Sequence, residues 1–338
     1  MDNDYRLNYY LGRANKKFYI KIPHSKKFCS GREFNATVKN LSDRTLTISP
    51  SSFSAFGICY KSDLLEIYKF LPQRYHNQPV VYVPGDVSFK LNQQSLIKSR
   101  LKTDKLGTLL KVEKDRHYEL KDTYLTNNTL PTIEAIKSMD CKFKSKKSSV
   151  VFRGAITPYS PRLIWFINGL RGYKPRGKAR RLDLIKKYIN NPRYNIAGSI
   201  CHDSDYNIPN ADQYIKNHMT IKEMLTYRYV ISVEGNDVAS NLKWLMLSNS
   251  VVMMPTPTTV TWFMEDHLKP YVHFIPLKSN FSDLNKQFEW CEKNIDQCEQ
   301  IAREATIYAM KFYDYLNEGK LNRKVLKTYI DNCEVVRS

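Results

Sequence analysis

The residues best suited to chemistry begin where a buried-looking run, Tyr229-Val-Ile-Ser-Val233, opens onto Glu234, Gly235, Asn236 and Asp237. Val238, Ala239, Ser240, Asn241 and Lys243 follow at once, with apolar residues at helical spacing among them. A strand that delivers such a turn to a helix gathers backbone N–H groups and the positive end of a helix dipole in one place, which suits a diphosphate. In doubly wound sheets ligands sit at the carboxyl ends of strands. An ordinary capped β-to-α turn uses the same residue types, so this block alone does not decide.

Three further constellations bear on it. Val150-Val-Phe-Arg153-Gly154 reads as a strand, and Arg162 follows the Thr-Pro-Tyr-Ser-Pro stretch after it. Guanidinium forks at a strand exit can hold phosphate or a sugar carboxylate, or simply pair with surface acids. Val80-Val-Tyr-Val83 ends in Pro84-Gly85-Asp86, and a carboxylate at a strand tip can take the proton of an attacking hydroxyl. A Gly-Asp turn is also a common structural device. Asp203-Ser-Asp205 spells an Asp-x-Asp pair that could hold a divalent cation on a diphosphate, but Gly198-Ser-Ile-Cys-His202 before it is a poor apolar strand, which favours a loop turn.

Several chemistries are excluded by what is missing. The chain has no Gly-x-Gly-x-x-Gly fingerprint, no Walker loop, no Gly-x-Ser-x-Gly elbow and no paired-histidine zinc motif. Its seven cysteines are scattered and never form Cys-x-x-Cys, which reads as reduced thiols rather than disulfides or a zinc site.

The elements that must position these residues are clearest in the second half. Thr220 and Glu223 form a capping-box pattern, the strand 229–233 follows, and Ala239, Leu242, Leu245 and Met246 predict a helix ending near Ser248-Asn249. A strand at Val251–Met254, a helix around Thr261–Glu265, a strand at Val272–Pro276 and a helix from Ser282 with Leu284, Phe288 and Cys291 on one face continue the alternation. A long helix is expected over Ile295–Tyr315. Such alternation marks a parallel sheet wrapped by helices. The first half is richer in β-type residues, with strands expected at 80–83, 96–97 and 108–111. The polar stretch Cys141–Ser149 is the linker candidate, giving an N-terminal lobe at 1–147, a C-terminal lobe at 148–315 and a tail at 316–338 that packs on the body.

Composition sets the surroundings. With 338 residues, 42% hydrophobic, the chain is long enough for two domains and rich enough for packed cores. Against 33 Asp and Glu stand 53 Lys and Arg, a net charge of +20 that draws anionic partners: nucleic acid, an anionic membrane face or phosphorylated small molecules. Lys and Arg are spread along the chain without a recognisable nucleic-acid module, so specific nucleic-acid binding is not expected. Met1–Lys27 lacks the apolar core of a signal peptide and no run approaches a membrane span, so a cytoplasmic protein is expected.

Taken in order, Gly85-Asp86-Val87, Lys98-Ser-Arg100, Val151-Phe-Arg-Gly154, Ile231–Ala239 with Asn241-Leu-Lys-Trp244, Ser248-Asn-Ser-Val251, Thr261-Trp-Phe-Met-Glu265 and Tyr271–Leu277 resemble glycosyltransferase family 90. This is the lipopolysaccharide-modifying and capsule-associated family that also holds the protein O-glucosyltransferases. The resemblance covers roughly residues 80 to 310, and Met1 to about His76 contributes no motif. It implies a glycosyltransferase B fold of two Rossmann-like lobes with the active site in the cleft, an inverting mechanism, a nucleotide sugar as co-substrate and no required metal or other cofactor. It also implies that Asp86 is the base and that Gly235 to Asn241 bind the nucleotide diphosphate; Arg153, Gly154 and Arg162 at the strand exit are expected to help hold it. Glu265 is a candidate for the donor ribose, and Lys98 and Arg100 for the acceptor side. The animal enzymes carry an arginine in the helix after the glycine turn; here no arginine lies between Glu234 and Met246, leaving Asn241 or Lys243 in its place. The partners implied are a nucleotide-sugar donor and a glycan or lipid-linked glycan acceptor, with peripheral contact to an anionic membrane.

Overall fold

A computed structural model describes residues 1–22, 46–48, 80–83, 91, 93–111, 133–156, 181–201, 210–235 and 237–337. In chain order the first elements are α1 (Asn3–Leu11), β1 (Phe18–Ile22), β2 (Leu46–Ile48), β3 (Val80–Val83), β4 (Ser95–Ile97), β5 (Arg100–Leu101) and β6 (Gly107–Leu109). Next come α2 (Ile133–Met139), β7 (Lys147–Ile156), α3 (Arg181–Tyr188), β8 (Tyr194–Cys201), α4 (Ile221–Met224), β9 (Tyr227–Ile231) and α5 (Leu242–Leu245). The last are β10 (Val251–Pro255), β11 (Thr259–Val260), β12 (Ile275–Leu277), α6 (Leu284–Lys293), α7 (Ile295–Met310), α8 (Tyr315–Asn332) and β13 (Cys333–Arg337).

The chain forms two compact units. One comprises Met1–Lys114, Thr259–Trp262 and Phe312–Ser338, the other Asp115–Thr258 and Phe263–Lys311. These contact-defined bounds differ from the compositional limits at 147/148 and 315/316. No described helix is long and apolar enough to cross a membrane.

In the first unit β2-β3-β4-β6 make a four-stranded sheet, antiparallel between β2 and β3 and parallel beyond. Two smaller pairs accompany it, β1 with β13 in parallel and β5 with β11 antiparallel. The buried guanidinium of Arg6 on α1 pairs with Glu318 on α8 at 2.6 Å and lies over the Phe312 ring. Tyr10, one turn later, donates to the carbonyl of Trp262 at 2.6 Å. After α1 the chain turns at Gly12, whose φ of 57° lies in the left-handed half of the map. A Cβ there would meet the carbonyl oxygen of Lys105 at 2.5 Å. Gly12→Ala is expected to cost about 1–3 kcal/mol through backbone strain, read as a lowered urea midpoint with unchanged slope.

The second unit is built on a five-stranded sheet in the order β12-β10-β9-β7-β8, every pairing parallel. Its strands are near-continuous apolar runs such as Val150-Val-Phe152 and Val251-Val-Met-Met254, as parallel strands covered on both faces require. Leu184, Ile185 and Tyr188 of α3, Leu284, Phe288 and Cys291 of α6, and Cys298, Ile301 and Ala302 of α7 belong to the core with Phe152, Ile196, Tyr229, Ile231 and Met253. Read in sequence order from β7, the strands run 2-1-3-4-5 across the sheet, the flavodoxin-like doubly wound order. Its switch point lies between β7 and β9.

The expected mixed α/β class, the capping box of Thr220 and Glu223 and the helix beginning near Ser282 are all present. Four expectations are corrected. Thr261–Glu265 is not a helix: Trp262, Phe263 and Met264 are all fully buried, which one face of a helix cannot achieve, and Met264 turns the chain at φ 55°. The strand expected from Val272 begins at Ile275, after a turn in which Tyr271 has φ 58°. The helix expected to reach Tyr315 stops at Met310, and the segment read as a tail is mostly α8, capped by Asp314, which accepts from the Asn317 N–H at 3.0 Å. The stretch read as a linker is ordered. Phe143 is buried in the core, and Lys146 is buried against Asp140 and the Leu225 carbonyl.

Candidate active site

The parallel sheet of the second unit delivers its strand ends to the turn that the sequence singles out. Ser232, just past β9, still donates its N–H to the Met253 carbonyl at 3.0 Å. Its hydroxyl donates to Asn241 Oδ1 at 2.9 Å, and Asn241 Nδ2 donates to the Ile231 carbonyl at 3.3 Å. Asn241 therefore ties the far end of the turn back to the strand, with Gly235, Asp237, Val238, Ala239 and Ser240 in the span between. Asn236 lies outside the described residues. Glu234 accepts from the N–H of Thr258 at 2.9 Å and from its hydroxyl at 2.6 Å, fixing the turn to the stretch after β10. Pro255 and Pro257 bring no N–H to that stretch, so the Glu234 carboxylate satisfies a donor next to them.

The expected helix dipole is not there to use. Helix α5 is a single turn of four residues, all buried, with no side-chain cap. So short a helix sums few peptide dipoles. Lys243 is only 2% exposed, drawn inward with Trp244 and Leu245, rather than held out as a point charge.

Arg153 is also placed differently from expectation. Its guanidinium donates to the carbonyls of Phe152, Asn195 and Asn217 at 2.9–3.1 Å and to Asn195 Oδ1 at 2.6 Å. It thus fastens β7 to β8, and burial lowers its pKa from the usual arginine value. Gly154 pairs with Gly198 in the same register.

Among the described residues, Arg181, the first residue of α3, brings a cation to the strand ends. Its Nε and Nη2 both donate to the Val233 carbonyl, at 3.1 and 2.9 Å, and Nη1 donates to the Ala155 carbonyl at 3.2 Å. Ala155 is the last residue but one of β7 and Val233 follows β9, so the guanidinium spans the switch point of the sheet. A Cβ on Gly235 would lie 3.2 Å from Nη2, and one on Gly154 would lie 3.7 Å from Nη1. Glycine at 235 leaves room for the fork, whereas a methyl group at 154 would be in ordinary contact with it. Sequence reading passed over Arg181 because it ends the basic run Lys174–Arg181, which resembles a solvated face.

The remaining candidates divide. Glu265 opens a short 3-10 turn and is 2% exposed. In the first unit Lys98 is buried, and Arg100 is 1% exposed, donating to the carbonyls of Gly107 and Tyr9 with its charge over the Tyr9 ring. Arg100 is thus turned inward, holding the end of α1 to the β5–β6 turn. Asp86, Arg162, Asp203 and Asp205 lie outside the described residues. Among the described residues no three His, Cys, Asp or Glu side chains gather as metal ligands would.

The family described as Glycosyl transferase family 90 matches residues 169–319, a span that takes in Arg181, β9, the glycine turn and β12. O-glucosyltransferase LpsA of Dichelobacter nodosus is 31% identical over 279 residues, covering 81% of this chain and 73% of that protein. The chain belongs to glycosyl transferase family 90. It is therefore a glycosyltransferase, as the sequence resemblance implied, and glycosyl transfer needs a sugar donor and a glycan or protein acceptor. Other relatives are similar over shorter stretches. Protein O-glucosyltransferase 3 of Rattus norvegicus is 31% identical over 88 residues, which is 26% of this chain and 17% of that protein. Uncharacterized protein 179R of Invertebrate iridescent virus 6 is 32% identical over 124 residues, 35% of this chain and 10% of that protein.

Proposed function

We propose that this family 90 enzyme transfers a sugar, with inversion, from a nucleotide diphosphate sugar to a hydroxyl of a glycan such as a lipopolysaccharide core or a surface or capsular polysaccharide. The observation that carries the donor half of the reading is the switch point between β7 and β9, where two glycines and a guanidinium meet at the carboxyl ends of parallel strands. Nucleotide ligands favour that place in doubly wound sheets. The acceptor half rests on the relative in Dichelobacter nodosus, whose name specifies O-glucosyl transfer, and this makes a uridine diphosphate sugar, glucose first, the donor to try.

In this reading Asp86 is the base that takes the acceptor proton as the hydroxyl attacks the anomeric carbon, and the leaving diphosphate is stabilised by fixed cations and N–H groups in place of a metal. Arg162 and Glu265 remain donor-side candidates, and Lys98 an acceptor-side one. The two units correspond to the two lobes of a type B glycosyltransferase. A cytoplasmic enzyme at the membrane face fits the +20 charge, which favours anionic lipid carrying a lipid-linked acceptor.

Calorimetric titration with a panel of uridine, guanosine and adenosine diphosphate sugars tests the reading, first in chelator and then in manganese. Saturable binding of one nucleotide class in chelator is the expected result. Binding seen only with manganese would replace the metal-free mechanism by one using Asp203 and Asp205, and no binding of any donor would overturn the proposal.

A further inference from the structure

We infer that Tyr271 and Trp290, on the outside of the second unit, form a shelf on which pyranose rings of a glycan chain stack, a holding site apart from the donor site; the inference rests on the reading above that the acceptor is a glycan. Tyr271 is 40% exposed and Val272 beside it 39%, both large apolar side chains left open to water. At φ 58° Tyr271 also stands in the left-handed half of the map, where a bulky side chain is strained. The turn around it is fixed by its own hydrogen bonds. The Tyr271 N–H donates to the Phe274 carbonyl at 2.8 Å, those of Val272 and His273 to the Lys269 carbonyl at 3.2 and 2.9 Å, and that of Lys269 to His273 Nδ1 at 2.9 Å. Strain of this kind persists where the surroundings over-determine it, and it clusters at places of use.

The rings are held in advance. Tyr271 meets Trp290 of α6 edge to face, with 5.2 Å between centroids, and its hydroxyl lies 3.1 Å from Gln287 Oε1 and 3.0 Å from Nε2. Trp290 is half-buried and packs against the core, and no described residue accepts its indole N–H. A pyranose carries C–H groups on its faces and hydroxyls around its rim. Two pre-set aromatic rings meet the faces at low entropic cost, and the Trp290 N–H, the Gln287 amide and the Tyr271 hydroxyl offer donors and acceptors to the rim. The exposed charges of α6 are mixed in sign, Lys286, Glu289 and Lys293, which favours a neutral sugar over an anionic lipid surface. Glu292, two residues past Trp290, accepts from Ser148 and, at 3.5 Å, from Arg228, near the starts of β7 and β9. The shelf therefore sits toward the amino ends of the strands, opposite the donor site. It holds a remote part of the glycan and raises the local concentration of the rest.

Calorimetry and saturation-transfer NMR on wild type, Tyr271→Gly and Tyr271→Phe test this, with maltoheptaose, laminarihexaose, cellohexaose and oligosaccharide released from a lipopolysaccharide core as probes. Wild type is expected to bind at least one of them. Tyr271→Gly should weaken that binding about 3- to 10-fold, the range of an aromatic contact, and Tyr271→Phe should stay within about twofold of wild type. Glycine has no penalty at this φ, so the urea midpoint of Tyr271→Gly should be at or above that of wild type. Tyr271→Asn, a residue type that also tolerates this backbone, should behave as Tyr271→Gly does. Nucleotide-sugar affinity should stay within about threefold in every variant, since the ring lies away from the donor site. Glycan binding unchanged in Tyr271→Gly, with a lowered urea midpoint, would show that the ring serves the fold and would overturn the inference. So would cosedimentation with phosphatidylglycerol vesicles, lost in Tyr271→Gly, in a protein that binds no probe glycan. Wild type that binds a nucleotide sugar and none of the glycans would overturn the inference alone, and failure to bind either would remove the donor reading with it.

Discussion

Asp86→Asn is expected to lower turnover by about 10²- to 10⁴-fold while leaving the affinity for the nucleotide sugar within about threefold of wild type, the range by which a positioned general base contributes. The carboxamide is nearly isosteric with the carboxylate but cannot accept the proton that the attacking hydroxyl must lose. Its loss therefore falls on the chemical step and not on donor capture. Steady-state kinetics with the donor found by titration, alongside calorimetry on the same variant, gives the two numbers separately. Turnover within a few-fold of wild type would show that another group takes the proton, whereas a parallel loss of donor affinity would place Asp86 in binding.

The second large effect concerns the frame beneath the site. Lys146 and Asp140 form a buried ion pair whose side chains are 0% and 4% exposed. Lys146 also donates to the Leu225 carbonyl ahead of β9, and the second Asp140 oxygen accepts the N–H of Asn249 ahead of β10, at 2.6 Å. One ion pair therefore joins the starts of β7, β9 and β10, at the opposite end of the strands from the glycine turn. Lys146→Met should cost roughly 3–5 kcal/mol, because it leaves a carboxylate buried without its counter-charge. Adding Asp140→Asn to Lys146→Met should recover much of that loss, since the charge left behind is then removed as well. Equilibrium urea unfolding of the two single variants and the double checks both statements. Additive losses in the double variant would contradict the pairing.

How far the sequence speaks depends on whether a signal is local. Strands β3 and β10 are short apolar runs closed by proline, β7 carries the apolar run Val150-Val-Phe152, and α6 shows its buried face in Leu284, Phe288 and Cys291, so all four are legible. The glycine turn after β9 is legible for the same reason. What escaped depends on partners distant in sequence. Arg181 reaches the carboxyl ends of the sheet only because Ala155 and Val233, 26 and 52 positions away, lie near the ends of neighbouring strands. The segment Cys141–Ser149 looks like a linker until Asp140 and Leu225 take up the Lys146 charge. Helix α8 was hidden by its basic outer face, although Glu318, Leu321, Val325, Leu326 and Tyr329 repeat at helical spacing and are buried. Thr261–Glu265 misled in the opposite sense: its bulky apolar residues suggested a helix face, but they are buried one after another in a turn.

The central claim is that the nucleotide diphosphate lies at the carboxyl ends of β7 and β9, and amide hydrogen exchange with and without the bound nucleotide tests it most directly. Added protection should concentrate in residues 153–156 and 231–242 and in the first turn of α3, with little change at the opposite ends of the strands, residues 140–149 and 225–228. Protection confined to those opposite ends, or to β4 and β6 of the first unit, would contradict the account.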